Sequence, residues 1–252
     1  MKFLYFLFIL QLFNNSLFGQ RAKLNQTALW FRHSVNLSLP KEMKLRSEIE
    51  YRLFAAPNVR TNQYLFRLIA EKRFKKNWTV GGGFVLFMNG SNDVRNTSRL
   101  FAPEPRPFID IGYKQQISEK FNINHRYRTE WRFIKNTNTA YTELEDGFKD
   151  YIRFRYQVAV EYIPFKTETS DVRLRAFNEV MINAGKKVGR NIFDQNRTSF
   201  GVQYNINKYI GIEAAYIYWI QQQGNGDTFI SRHIVRFGVI NNFNISGKKP
   251  KS

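Results

Sequence analysis

From Met43 to Leu53 the chain alternates with a period of two. Met43, Leu45, Ile49, Tyr51 and Leu53 share one face with Ser47, while Lys44, Arg46, Glu48, Glu50 and Arg52 share the other. That period belongs to a strand, in which successive side chains point to opposite faces. Phe121, Ile123, His125, Tyr127, Thr129, Trp131 and Phe133 alternate in the same way with Asn122, Asn124, Arg126, Arg128, Glu130 and Arg132. So do Ile152, Phe154, Tyr156, Val158, Val160 and Tyr162 with Arg153, Arg155, Gln157, Ala159 and Glu161. These stretches exceed the typical strand of about 5–6 residues. They meet the roughly 9–11 residues that a tilted strand needs to cross a bilayer.

With turn residues taken as punctuation, the pattern predicts strands at 25–39, 42–54, 62–75, 78–90, 106–118, 120–135, 149–163, 170–184, 194–207, 209–222 and 229–244. The joints alternate in length. Pro40-Lys41, Lys76-Asn77, Glu119 and Asn207-Lys208 are tight, whereas Gly90 to Pro105, Asn136 to Lys149, Gly185 to Phe193 and Gln223 to Asp227 are long. Short turns at one end and long loops at the other are the pattern of an outer-membrane barrel. The joint from Pro164 to Thr169 is longer than that rule prefers. The expected fold is all-β, an antiparallel up-and-down transmembrane β-barrel. Eleven segments are counted, but single-chain bacterial barrels have even strand numbers. About 12 strands are therefore expected, with an extra short strand or plug sought in residues 20–28 and ten strands as the fallback.

Composition fits this picture once the alternation is known. A mean hydropathy of −0.46 normally indicates a soluble chain. A barrel strand shows lipid only every second residue, so its average conceals the wall. Aromatic residues make up 16% of the chain, with 24 Phe and 13 Tyr, which suits strands and interfacial girdles. At the N-terminus, Lys2 precedes the apolar run Phe3 to Leu10, then Leu12, Phe13, Leu17 and Phe18 before Gly19-Gln20. This reads as a signal peptide over residues 1–19, too short and interrupted to span a bilayer. Residues 20–252 then form one barrel domain. Cysteine is absent, which removes disulfide, thiolate and lipoprotein-anchor chemistry. The 39 Lys and Arg against 20 Asp and Glu would suggest nucleic acid in a cytosolic protein. Export, and basic residues spaced at every second position, argue for no nucleic-acid partner. The expected location is the cell outer membrane. Its lipids, including lipopolysaccharide, and the outer-membrane assembly machinery are the expected partners, the latter because of the aromatic-rich last strand ending near Phe243.

Several stretches carry a resemblance: Glu48-Ile49-Glu50-Tyr51-Arg52, Phe177-Asn178-Glu179-Val180, and Phe193-Asp194-Gln195-Asn196-Arg197 leading into Phe200-Gly201-Val202. Together, over about residues 25–244, they resemble the DUF2490 family of Bacteroidota outer-membrane proteins. The resemblance implies a β-barrel in the outer membrane and supplies no activity, cofactor or catalytic residue.

Candidate chemistry lies on the charged face. Arg46, Glu48, Glu50, Arg52, Arg67, Glu71, Arg73, Arg126, Arg128, Glu130, Arg132, Arg153, Arg155, Glu161, Arg173, Arg175 and Glu179 share the parity expected of the lumen. Withdrawn charges must find partners, so one reading is a closed structural barrel whose interior neutralises itself. The other starts from the surplus of arginine. Rings of Arg and Lys favour anions, which points to a pore or binding protein for anionic solutes. An outer-membrane lipid hydrolase is the enzymatic alternative, because Ser231 and His233 share a face of one strand. His33, His125 and His233 carry apolar-face parity, so interfacial roles suit them better than metal ligation. Glu143, Glu145, Asp146 and Asp150 read as a solvated acidic loop, and no cofactor is implied. A soluble ligand-carrying barrel would place the apolar face inward, and parity alone does not say which face that is.

Overall fold

The alternating segments all form strands in the computed structural model, which describes residues 23–56 and 58–245. They are β1 (Lys23–Leu39), β2 (Met43–Ala56), β3 (Arg60–Lys75), β4 (Trp78–Asn89), β5 (Ala102–Gln116), β6 (Phe121–Thr137), β7 (Leu144–Lys166), β8 (Asp171–Ala184), β9 (Phe193–Asn205), β10 (Ile210–Gln222) and β11 (Phe229–Asn244). The expected leader, residues 1–19, and residues 20–22 of the stretch in which an extra strand or plug is sought lie outside the described residues.

Each strand pairs antiparallel with the next in sequence, and the sheet closes into a barrel through β1 and β11. That last ladder is parallel, running from Lys23↔Phe229 to Ser38↔Asn244. The barrel therefore has eleven strands rather than twelve. An even number is needed only when every neighbour is antiparallel, and one parallel seam, with its evenly spaced slanted bonds, closes an odd sheet. Residues 23–28 belong to β1 itself and form no separate strand or plug. One consequence is that β1 begins at the long-loop end, while β11 finishes at the short-turn end.

Two strands start four or more residues earlier than the pattern predicts. β5 begins at Ala102 rather than at residue 106, because Pro103, Pro105 and Pro107 look like loop yet occupy one face of an extended strand. β7 begins at Leu144, so the acidic stretch from Glu145 to Asp150 is exposed strand, not loop.

The barrel settles which face is which. Ile49 is 58% exposed on the outside, with Phe66, Leu68, Ile109, Phe200 and Phe237 also outward, whereas Glu50, Arg128, Glu130 and Arg153 are enclosed. Apolar residues face out and charges face in, the reverse of the ligand-carrying soluble barrel considered above. Aromatic pairs occur towards both ends of the wall, and Phe31 and Phe237 pair midway at 6.2 Å. Trp78 and Tyr113 stand 4.7 Å apart near the short turns, and near the long loops Tyr64 stacks on Tyr51 at 5.4 Å and meets Phe101 at a tilt at 5.2 Å.

The interior is not uniformly polar. Ala28, Trp30, Ile217, Trp219 and Ile234 form an apolar cluster on the wall containing the parallel seam. Leu65, Ile69, Val85, Phe87 and Phe108 form another on β3, β4 and β5.

Candidate functional site

Because side chains of one parity share the lumen, charges from several strands meet there. A continuous network begins at β5, where Glu104 binds both Arg106 (2.6 Å) and Arg132 of β6 (2.6 Å). Arg132 approaches Asp194 of β9 (3.6 Å), which binds Arg153 of β7 (2.7 Å). Arg153 also binds Glu130, which in turn binds Arg155. Arg155 and Arg126 then share Glu179 of β8, at 2.9 and 2.5 Å. Arg128 closes the set on Asp110 (2.6 Å) and Glu130 (3.7 Å). Six arginines thus meet five carboxylates. Separate groups sit elsewhere: Arg46 and Arg67 on Glu48, with Arg46 also on Glu71 (2.8 Å), and Arg52 on Glu50 (2.5 Å). Charges removed from water at this density need such partners, and their value lies more in what it costs to break them than in net stability.

Aromatic rings of the apolar clusters take up further guanidinium faces. Arg52 lies 3.8 Å from the Trp30 ring centre, Arg106 3.7 Å from Phe87 and Arg128 3.8 Å from Phe108. A planar, delocalised and weakly hydrated guanidinium can lay its face on a ring in this way.

Of the sequence-nominated residues, Glu48, Glu50, Arg52, Arg128, Glu130, Arg132, Arg153 and Glu179 are enclosed. Arg46, Arg67, Glu71, Arg126, Arg155, Glu161 and Arg173 are half-buried, and Arg175 is exposed within the barrel. Arg173 binds Asp171 at the turn-side rim (2.7 Å). Arg73 is not a lumen charge: it meets Glu42 at that rim (3.5 Å), both about half exposed. Sequence reading missed Glu104, Arg106, Asp110 and Asp194, which complete the network. It also missed Arg32, Glu213 and Arg236, which form a three-membered group at 2.5 and 3.1 Å.

Besides Arg60 at the mouth, three inward arginines have no carboxylate within ion-pair distance among the described residues. Arg197 donates to Gln195 Oε1 (2.7 Å), Arg232 to Gln26 Oε1 (2.7 Å) and Asn92 Oδ1 (3.0 Å), and Arg175 to Gln157 Oε1 (3.3 Å). Arg197 and Arg232 both stack on Trp219, at 4.3 and 4.6 Å. Arg175 lines a cavity of about 50 Å³ together with Arg236, Glu213, Gln203 and Ser199. Gly201 and Ala215 also line it, packed so closely that a Cβ at residue 201 would stand 2.8 Å from that of Ala215. A volume of that size holds a few waters or one small anion.

The long-loop mouth is crossed by the segment joining β4 to β5, residues 90–101. Its Asn92 accepts from Arg232 of β11 and, through the backbone oxygen, from Gln26 of β1 (3.1 Å). β11 lies four strands from β4 around the barrel, so these bonds bridge nearly opposite walls. Arg60 donates to the carbonyls of Ser91 and Asn96, and Asn96 donates to Ala140 O (2.9 Å) in the next long loop. There Tyr141 Oη donates to Asn89 O (2.7 Å). Partial burial pushes the Tyr141 phenol up to about 12.

The enzymatic candidates do not assemble. Ser231 Oγ donates to Asn25 Oδ1, and His233 Nδ1 is 2.6 Å from Tyr216 Oη, so serine and histidine are engaged separately. His33 pairs with Asn241 (2.8 Å) and His125 with Tyr156 (2.9 Å), each on its own part of the outer wall. Among the described residues no group of His, Asp and Glu has the spacing to hold a metal ion.

No curated protein matches the chain. Among solved structures, the fold is similar to that of the NanC porin in a rhombohedral crystal form. The two share 13% identity over 80% of this chain and 91% of that one, with a TM-score of 0.46. The model of DUF2490, a family described as proteins of unknown function, matches residues 27–229, and the chain belongs to that family.

Proposed function

We propose that this protein is an outer-membrane β-barrel that binds an anionic solute inside a lumen closed at its long-loop mouth. An apolar wall with aromatic residues towards both ends suits a bilayer, because lipid rewards outward apolar surface and interfacial aromatic rings. The wall would face outer-membrane lipids, with lipopolysaccharide at the long-loop side. The aromatic last strand suits recognition by the assembly machinery.

The observation that carries the binding reading is the set Arg175, Arg197 and Arg232, three enclosed or lumen-facing cations whose side-chain partners are neutral amides and, for Arg197 and Arg232, the Trp219 ring. A buried cation without a counter-ion is costly, and an incoming carboxylate or phosphate relieves that cost. The nominated ion pairs around them act as scaffold, fixing arginine positions.

Two measurements on purified full-length protein test this. Planar-bilayer recording is expected to show few or no conductance steps, in keeping with residues 90–101 across the mouth. Calorimetric titration with inorganic phosphate and with acetate is expected to show saturable binding that weakens with salt. Steady anion-selective steps would favour an open channel instead. Absence of both conductance and anion binding would leave a purely structural envelope barrel. Detergent-free solubility after cell fractionation would overturn the membrane assignment.

A further inference from the structure

The β5–β6 ladder stops early. It runs from Gln116↔Asn122 to Phe108↔Glu130, although β5 continues back to Ala102 and β6 continues on to Thr137. On its other side β5 stays paired with β4 as far as Asn89↔Ala102.

Backbone polarity explains the break. Lys114 N donates to Asn77 O, just before β4, while Ile117 N donates to Phe121 O at the start of β6. Neighbouring residues of a strand address opposite partners, so the odd-numbered residues of β5 address β6. Pro103, Pro105 and Pro107 are odd-numbered and have no N–H to give. Extending the register places them opposite Lys135, Phe133 and Trp131, whose carbonyls receive no donor from β5. Proline belongs on sheet edges, and here it makes half of β5 an edge within a closed barrel. Side chains hold the seam instead, through Glu104 and Arg132 at 2.6 Å.

From this we infer that the wall opens sideways between β5 and β6 in its long-loop half, admitting a single-chain amphiphile with a carboxylate or phosphate head. The inference rests on the membrane and anion-binding reading above. Charge and polarity across the seam select that occupant. Outside lie the prolines with Ile109 and Phe133, 53% and 39% exposed, a surface for an acyl chain. Inside, Arg106 and Arg132 share Glu104, and Asp194 stands farther from Arg132 at 3.6 Å, so an anionic head arriving there meets two adjacent guanidinium groups bridged by one carboxylate. Residues 90–101 cross the long-loop mouth, and the seam in the same half of the wall bypasses that crossing. Unsatisfied backbone in hydrocarbon is costly, and a polar head passing the seam supplies hydrogen-bonding partners that lipid tails do not.

The chain has no cysteine, so a pair can be introduced cleanly. The Pro105→Cys/Phe133→Cys variant, reconstituted in nanodiscs of zwitterionic lipid, is locked with a short bis-maleimide or as the disulfide. It is then titrated with dodecanoate and dodecyl phosphate, and with acetate and inorganic phosphate as tailless counterparts. Locking is expected to weaken binding of the two amphiphiles at least tenfold, with recovery on reduction of the disulfide, and to leave the tailless anions unchanged. Amphiphile binding that is indifferent to the lock overturns the lateral route while the anion-binding lumen stands. If the parent protein binds none of the four, both readings fail. The reduced variant serves as its own folding control. As a second readout, hydrogen exchange of the amides at 131, 133 and 135 is expected to be at least tenfold faster than at 123, 125 and 127. Equal protection overturns the seam.

Discussion

Arg153 on β7 reaches past β8 to Asp194 on β9, and the 2.7 Å ion pair they form sits where each side chain is 1% exposed. Asp194 is also the second carboxylate near Arg132, at 3.6 Å. Replacing it by Asn leaves two enclosed guanidinium groups short of negative charge. The Asp194→Asn variant is expected to lose about 3–5 kcal/mol, the usual result of removing one member of a buried pair. The midpoint of urea unfolding in micelles reads this directly. Adding Arg153→Gln is expected to restore part of the loss, because the orphaned cation is removed with its partner. An unshifted midpoint in the single variant would show that the pair is dispensable.

That aspartate shows both the reach and the limit of the sequence. It stands in the run Phe193-Asp194-Gln195-Asn196-Arg197, which carries the family resemblance, but its role as counter-ion to β7 depends on barrel curvature that brings non-adjacent strands together. Strand positions were legible wherever one face is charged and the other apolar, as from Met43 to Leu53. Alternation fails on β1 and β10, where Ala28-Leu29-Trp30-Phe31 and Tyr216 to Ile220 are apolar on both faces because Trp30, Ile217 and Trp219 line the lumen. Arg32 and Glu213 were hidden by that lining. Glu104 and Arg106 were hidden by the prolines between them, which imitate a loop. The strand number turned on whether β1 runs with or against β11, and no local pattern encodes the direction of a closing seam.

The segment across the mouth is expected to set the conductance. Deleting residues 92–99 removes the bonds from Asn92 to Gln26 and Arg232 and those from Asn96 to Arg60 and Ala140. The shortened protein is expected to give discrete steps in planar bilayers where the parent gives few, with a preference for chloride over potassium. Arg232→Gln in the same background is expected to reduce that preference, because Arg232 has no carboxylate to cancel its field. Silence from the deletion variant would place the barrier deeper, in the ion-pair network.

Closure of the mouth is expected to weaken at high pH. Tyr141 Oη donates to Asn89 O, and burial raises the phenol to about 12 from an ordinary value of 10.0. The neutral form is favoured in the closed loop, so its contribution is fully present below about pH 10 and is lost as pH rises towards about 12. Hydrogen exchange of residues 138–143, corrected for its intrinsic pH dependence, is expected to show protection falling across that window. Tyr141→Phe is expected to lower protection at neutral pH and to flatten the profile. A parent profile that stays flat to pH 12 would detach the tyrosine from closure.

The cavity beside Arg175 offers the sharpest test of where a small anion rests. Arg175 faces Glu161 directly in the β7–β8 register without forming an ion pair, and its one bond there is a long one to Gln157. Arg236, which also lines the cavity, shares Glu213 with Arg32. Arg175→Glu places a negative charge in that space and is expected to weaken phosphate binding at least tenfold. Arg175→Lys keeps the charge but loses the planar fork, and an intermediate loss is expected. Arg173→Glu, two residues away at the rim and bound to Asp171, is expected to change affinity less than threefold. Equal losses at 173 and 175 would mean that the lumen acts through its overall field, with no seat at the cavity.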